Sequence, residues 1–217
     1  MPQNTNVPNI YIIGPQSTGK ATLIHKLQDD LQLRLTGTSI ESPSIISEVA
    51  RTVLTKHNYS AHDIQTSKTR CLELQQLILE AQAVAEEEAL QTSSWFISDR
   101  SGFDPLVYAK RYVSLQGVQD LQQLPAWFEV KDRMEAALIV VREAGTPWLT
   151  DDGVRLMPGS HDEWMGVFAD FCELLDQVSF EYCIIPRTML DLSERADFIR
   201  MKWTEKRESA VEHRAIA

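Results

Sequence analysis

Four residues separate Gly14 from Gly19, Lys20 follows directly, and the run before the loop, Ile10-Tyr11-Ile12-Ile13, is short and apolar. That run is too brief and too apolar for anything but a buried strand. Beyond the loop, Leu23, Ile24, Leu27 and Leu31 recur at helical spacing. A strand that breaks into a glycine-bounded loop and opens a helix is a phosphate cradle. Successive backbone N–H groups curl around an anion, the helix N-terminus adds its dipole, and a lysine supplies a mobile charge. The spacing therefore assigns Gly14, Pro15, Gln16, Ser17, Thr18, Gly19, Lys20, Ala21 and Thr22 to nucleotide binding, with ATP or GTP and Mg²⁺ as the implied ligands. One position departs from the pattern. The residue after the lysine ordinarily carries a hydroxyl that holds Mg²⁺, and here it is Ala21; Thr22 is rotated by about 100° on the helix and does not take its place.

The remaining chain alternates short apolar runs with helical periods. Strands are expected at Ile45-Ile46, Trp95-Phe96-Ile97, Ala137 to Val141 and Phe180 to Ile185. Helices are expected over Val49 to Leu54, His62 to Leu90, Asp104 to Val113, Val118 to Ala136 with a break near Pro125, Asp162 to Gln177 and Leu190 to Lys206. This order predicts an α/β, three-layer P-loop NTPase fold: a parallel sheet of about five strands, helices on both faces, ligands at the carboxyl ends of the strands. We expect a polar tail at 1–8, a single domain at 9–206 and a second tail at 207–217. The acidic run Glu86-Glu87-Glu88 reads as a solvated surface, and Trp127 and Phe128 read as core.

Two further stretches fall at strand ends. Ser98-Asp99-Arg100-Ser101 closes the third strand, where a P-loop protein places a carboxylate near its metal, so Asp99 is the metal candidate. Glu48 stands at the carboxyl end of the second strand or opens the next helix. The segment from Gly145 to Gly159 holds no sustained period and is rich in turn residues. It is expected to be a lid over the nucleotide, with Arg155 reaching toward transferring phosphate.

Composition narrows the partners. The formal charge of −10 argues against a nucleic-acid groove, which needs clustered cations. No stretch approaches the apolar length of a membrane span, and the polar start lacks the order of a signal peptide, so the expected location is the cytoplasm. Cys71, Cys172 and Cys183 stand apart without a metal-ligand spacing and read as buried thiols.

Taken together, Gly14-Pro15-Gln16-Ser17-Thr18-Gly19-Lys20, Glu48-Val49-Ala50-Arg51, Ser98-Asp99-Arg100-Ser101, and Pro147-Trp148 followed by Asp152-Gly153-Val154-Arg155 resemble the NadR-type group of P-loop proteins. This group is catalogued as a small AAA domain and is similar to nucleoside kinases. It includes the kinase half of a bacterial regulator of NAD biosynthesis, which phosphorylates nicotinamide riboside, and eukaryotic members of unclear substrate, which this chain resembles. The resemblance implies a kinase in which Lys20 and the glycines cradle phosphate and Glu48 approaches the acceptor hydroxyl. It further implies that Asp99 serves the metal, that Arg100 orients the acceptor or stabilises phosphoryl charge, and that Arg155 closes over the terminal phosphate. Arg51 reads as a structural ion-pair partner. The expected function is ATP-dependent transfer to a hydroxyl of a small ribose-like metabolite, with Mg²⁺ handling impaired by Ala21. The alternative is an ATP- or GTP-binding regulatory module, lipid-associated in some relatives, without efficient catalysis.

Overall fold

The computed structural model describes residues 7–147 and 159–216, side chains excepted at 61 and 211–216. Arg155, Trp148, Asp152 and Gly153 lie outside the described residues, as does most of the segment expected to form the lid. The element order is β1 (Ile10–Ile13), α1 (Lys20–Leu35), β2 (Ser44–Ile46), α2 (Val49–Lys56), α3 (Ala61–Thr66), α4 (Lys68–Thr92), β3 (Phe96–Asp99) and α5 (Phe103–Tyr112). There follow α6 (Leu115–Gln122), α7 (Pro125–Glu135), β4 (Leu138–Arg142), α8 (His161–Gln177), β5 (Cys183–Ile185) and α9 (Leu192–Ile216).

The five strands form one parallel sheet in the order β2-β3-β1-β4-β5. β1 is central, pairing Ile12 with Asp99 on one side and Val140 on the other, so the loop after it emerges at the middle of the carboxyl edge. Strand alternation then assigns the two faces. Ile10 and Ile12 point with Ile97 and Val140 toward α1 and α9, where Trp203 stacks on Trp95 at 4.7 Å. Tyr11 and Ile13 point with Phe96 and Val141 into the larger core under α4 to α8. A third cluster, Val53, Ile64, Cys71, Leu74 and Ile78, binds α2 and α3 to α4. The three-layer α/β arrangement expected from the sequence is present.

Several local expectations need correction. The helix expected over His62 to Leu90 is two helices, because Ser60 and Asp63 form a capping box for α3 and Ser67 restarts the chain by accepting from the Arg70 N–H. Glu86 is not solvated: it is fully buried, donated to by Gln82 Nε2 at 2.9 Å and paired with Arg133 at 3.2 Å. α4 runs between the sheet and α7, so the inward face of its last turns meets protein, while Glu87 and Glu88 remain exposed. Trp127 is core, but Phe128 is 51% exposed. β5 is only three residues long, and Phe180 to Tyr182 lead into it without pairing. α9 continues to Ile216 rather than ending at Lys206, since no glycine or proline interrupts the last turns. All three cysteines are free thiols; Cys71 is buried, and Cys172 and Cys183 are half-buried. Among the described residues no helix is long and apolar enough to cross a membrane.

Candidate active site

The loop between β1 and α1 owes its shape to three residues in left-handed conformation: Gly14 at φ 122°, Ser17 at φ 56° and Gly19 at φ 78°. Gly14 also has no room for a side chain, because a Cβ there would lie 2.6 Å from the Arg142 carbonyl oxygen. Side chains draw the loop's carbonyls away from the cradle. Lys20 Nζ donates to Gly14 O at 2.9 Å and Pro15 O at 2.6 Å, and the Thr18 hydroxyl also donates to Pro15 O at 3.0 Å. Gln16 O accepts from the Trp164 indole at 3.0 Å, Ser17 O from the Thr146 hydroxyl at 3.5 Å, and Thr18 O from Arg142 Nε at 3.3 Å. With the carbonyls held outward, the opposite edges of those peptide units present N–H groups to an anion. Arg142 is fully buried and also donates to Ile185 O at 3.0 Å, joining this loop to the end of β5. Burial, with nearby Arg195, lowers its pKa to about 10.

Lys20 is buried, and burial together with the positive Arg100 lowers its pKa to about 7. Beside it, Ala21 faces a cavity of about 240 Å³ that Ser47, Glu48, Arg51 and Asp99 also line. The only carboxylates on that cavity are Asp99 and Glu48, and position 21 contributes a methyl group where the pattern wants an oxygen. Among the described residues no group of three or more His, Cys, Asp or Glu side chains is placed to hold a metal.

β3 ends in a strained residue. Arg100 sits at φ 83°, with its N–H donating to Ile12 O at 3.1 Å, and this twist turns its side chain toward α2. The guanidinium bridges two carboxylates, Glu48 Oε1 at 2.6 Å and Asp104 Oδ1 at 2.8 Å. Asp104 Oδ2 in turn accepts the Ser101 N–H at 2.9 Å. Burial opposes the charge on Arg100, but Glu48 and Asp104 hold its pKa well above the ordinary value. Glu48 caps the start of α2, and its Oε2 accepts from Arg51 Nε at 3.0 Å. This bridged pair forms one end of an enclosed pocket of about 60 Å³ between α2, α3, α4 and α5. Val49, Leu54, Ile64, Leu74, Ile78 and Pro105 supply its apolar walls, and Gln16, Gln75, Gln82, Ser101 and Tyr108 are among its other polar groups.

The structure thus places Gly14 to Thr22 at one strand end, brings Asp99 onto the cavity beside Ala21, and joins Glu48 to Arg100 and Arg51. Asp104, Thr146, Arg142, Trp164 and the two glutamines were not singled out from the sequence. Asp104 had a signal, an acid one helical turn after Arg100. Gln75 and Gln82 had another, polar residues seven apart on the buried face of α4. For Trp164 and Arg142 no sequence signal exists, since both act through backbone carbonyls far away in the chain.

A family profile described as an AAA domain matches residues 9–195. The chain belongs to that family. No curated protein matches it in sequence. Among solved structures it is similar to a NadR protein in complex with NR, at 18% identity and a TM-score of 0.59, covering 83% of this chain and 44% of that one. A NadR protein in complex with NAD and AMP-PNP matches at 16% identity and a TM-score of 0.61, covering 88% and 49%. Shikimate kinase from Acinetobacter baumannii in complex with shikimate matches at 14% identity and a TM-score of 0.51, covering 93% and 96%. The chain spans less than half the length of the NadR structures it matches. These likenesses establish a P-loop kinase fold.

Proposed function

We propose that this chain binds a nucleoside triphosphate, ATP in the first instance, over Gly14 to Thr22 and transfers its terminal phosphoryl group to a hydroxyl of a small acceptor. The acceptor sits in the pocket that Glu48 and Arg100 close. The observation carrying this reading is that juxtaposition: an N–H cradle with its lysine on one side of the strand ends, and an arginine-bridged carboxylate at the mouth of an enclosed pocket on the other. The AMP-PNP bound by one NadR protein and the NR bound by another support a triphosphate and a small acceptor on this fold.

In the transfer, the acceptor oxygen forms a bond to the γ-phosphorus while the bond to the β,γ-bridging oxygen breaks and the diphosphate leaves. The hydroxyl proton passes to the Glu48 carboxylate or to the transferred phosphate. Phosphoryl transfer demands positioning and charge neutralisation more than covalent chemistry. Lys20 and the N-terminus of α1 neutralise phosphate, Glu48 receives the hydroxyl hydrogen bond, and Arg100 fixes the carboxylate. Mg²⁺ takes few protein ligands, and Asp99 on the cavity beside Ala21 fits one of them, with phosphates and water supplying the rest. When bound, the metal neutralises charge on the β- and γ-phosphates. The missing oxygen at Ala21 favours a second reading, a nucleotide-binding regulatory module that turns over slowly or not at all.

Thermal-shift and phosphorus-NMR assays with ATP and GTP, with and without Mg²⁺, and a panel of ribosides test the proposal. Stabilisation by triphosphate and formation of a phosphorylated riboside are expected, with both lost in Lys20→Met. Stabilisation without transfer selects the regulatory module, and no stabilisation under any condition refutes nucleotide binding.

A further inference from the structure

Gln82 is 1% exposed and lines the acceptor pocket. Both of its amide hydrogens are spent, one on Glu86 Oε1 at 2.9 Å and one on the Ser98 hydroxyl at 3.1 Å. Where Glu86 is ionised, its carboxylate fixes which way the amide faces, because the reverse orientation would set oxygen against oxygen. Its Oε1 is then buried with no hydrogen-bond partner, which native interiors rarely leave. Two turns earlier on the same face of α4, Gln75 is 2% exposed and also lines the pocket, its amide engaged only by a 4.0 Å contact with the Cys71 sulfur. Two carboxamides of α4, with that of Gln16 from the phosphate loop, thus line a pocket whose walls are otherwise largely Val49, Leu54, Ile64, Leu74, Ile78 and Pro105. A buried amide in apolar surroundings costs free energy until it meets a matching donor and acceptor.

The charges of the pocket point the same way. Glu48 and Asp104 are both bridged by Arg100, and Glu48 also by Arg51, so the lining carboxylates and guanidiniums neutralise one another. Among the described residues a cationic ring finds no uncompensated carboxylate there, and an anionic acceptor meets guanidiniums whose charge is already balanced by carboxylates. A flat, uncharged group with a donor and an acceptor on one edge suits both glutamines and slides between aliphatic walls.

We propose that the acceptor carries a neutral heterocycle with a lactam edge, an N–H beside a C=O, read by Gln82 Oε1 and the Gln75 carboxamide while its hydroxyl reaches Glu48. This rests on the kinase-like reading of the same site and names its substrate class. The enclosed volume of about 60 Å³ is smaller than the roughly 150 Å³ of a cavity that takes a six-membered ring, so the ring enters with outward movement of α2 and α3. That pair of helices is held by Leu54, Ile64 and their neighbours in one small cluster and by the Glu48–Arg100 and Asp63–Arg70 ion pairs.

The test is binding by calorimetry and thermal shift at pH 8, in the presence of AMP-PNP. The probes are uridine and inosine, their N-methylated lactams 3-methyluridine and 1-methylinosine, methyl riboside, nicotinamide riboside and shikimate. At least one parent lactam nucleoside is expected to bind, and its N-methyl form at least tenfold more weakly. Gln82→Leu, an apolar side chain of similar bulk, is expected to abolish that discrimination while leaving AMP-PNP binding unchanged. Gln75→Leu provides a second variant should the first fold poorly. Equal binding of parent and N-methyl forms, tighter binding of the cationic or anionic probe, or AMP-PNP binding with no lactam bound would each overturn the proposal. Failure of AMP-PNP itself to bind is a different result and overturns the nucleotide reading beneath it.

Discussion

Replacing Glu86 by glutamine gives a stability experiment whose sign and size both follow from burial. The carboxyl lies fully inside the protein, and desolvation raises its pKa from 4.5 to about 7 against the opposing hydrogen bond from Gln82 and charge of Arg133. Between those two values the folded protein holds a proton that the unfolded chain has released, so stability falls as pH rises. For a shift of that size the proton-linked stabilisation is roughly 2 to 3 kcal/mol at pH 5 and close to zero at pH 8. Other groups also titrate in this range, Lys20 among them, so the informative quantity is wild type minus Glu86→Gln, in which they cancel. Urea unfolding at pH 5, 6, 7 and 8, read by circular dichroism, should show this difference falling by about 2 to 3 kcal/mol across the series. Glutamine is nearly isosteric and keeps one acceptor oxygen, for Gln82 or for Arg133, and setting its NH2 against the other donor costs a pH-independent amount that leaves the slope of the difference unchanged. A difference constant with pH to within about 0.5 kcal/mol would mean that Glu86 is ionised in the folded state across this range, and the reasoning from burial would be wrong.

Two further predictions concern the cradle itself. Gly14→Ala forces a Cβ to 2.6 Å from the Arg142 carbonyl at φ 122°, and should cost at least about 2 kcal/mol in chemical unfolding and remove the thermal shift with triphosphate; an unchanged midpoint would contradict the geometry. Ala21→Thr puts a hydroxyl on the cavity shared with Asp99 and should tighten binding of the Mg²⁺ complex of AMP-PNP by on the order of tenfold, with little change when Mg²⁺ is withheld, as measured by calorimetry. Equal gains with and without metal would mean that position 21 does not face the metal.

The fold was legible because its signals are local. The apolar run before Gly14, the glycine spacing and the helical period after Lys20 each specify a conformation by themselves, and the alternation of strands and helices leaves little choice but a parallel sheet. Glu86 was misread for the opposite reason. Three consecutive acids look solvated in sequence, and only the docking of α7 supplies the Arg133 that makes burial of one of them tolerable. Phe128 failed symmetrically, since nothing in Trp127-Phe128 tells which ring α7 turns inward. The break at Ser67 was readable in principle: Ser60 with Asp63, then Ser67 before Lys68, are successive capping signals inside an otherwise helical period. What could not be read is the wiring of the phosphate loop. Trp164 reaches Gln16 across 148 residues of chain and Arg142 reaches Thr18 across 124, and each contact ends on a carbonyl, which has no residue identity to co-specify.

The same geometry decides between two roles open to Arg100. An arginine after β3 either stabilises charge on the phosphoryl group in transit or orients the acceptor through the carboxylate beside it. Its Nε is held by Glu48 and its Nη1 by Asp104, both at charge-assisted distances, and the left-handed backbone aims the side chain along α2. Swinging the whole guanidinium toward phosphate would break both bonds and leave two buried carboxylates uncompensated, at several kcal/mol, whereas a contact through Nη2 would leave both in place. On the proposed kinase reading Arg100 therefore supports Glu48, while its charge, near enough to Lys20 to depress that lysine's pKa, still reaches the cradle. Within the described loop the candidate charge is Lys20, whose pKa is lowered to about 7 and which donates to Gly14 and Pro15. An arriving triphosphate supplies the negative charge that favours the ammonium form, so binding above neutral pH should draw a proton from solution. One lysine and a helix N-terminus do not balance a triphosphate, so on the proposed reading binding is expected to weaken when Mg²⁺ is withheld, even though Ala21 offers the metal no oxygen.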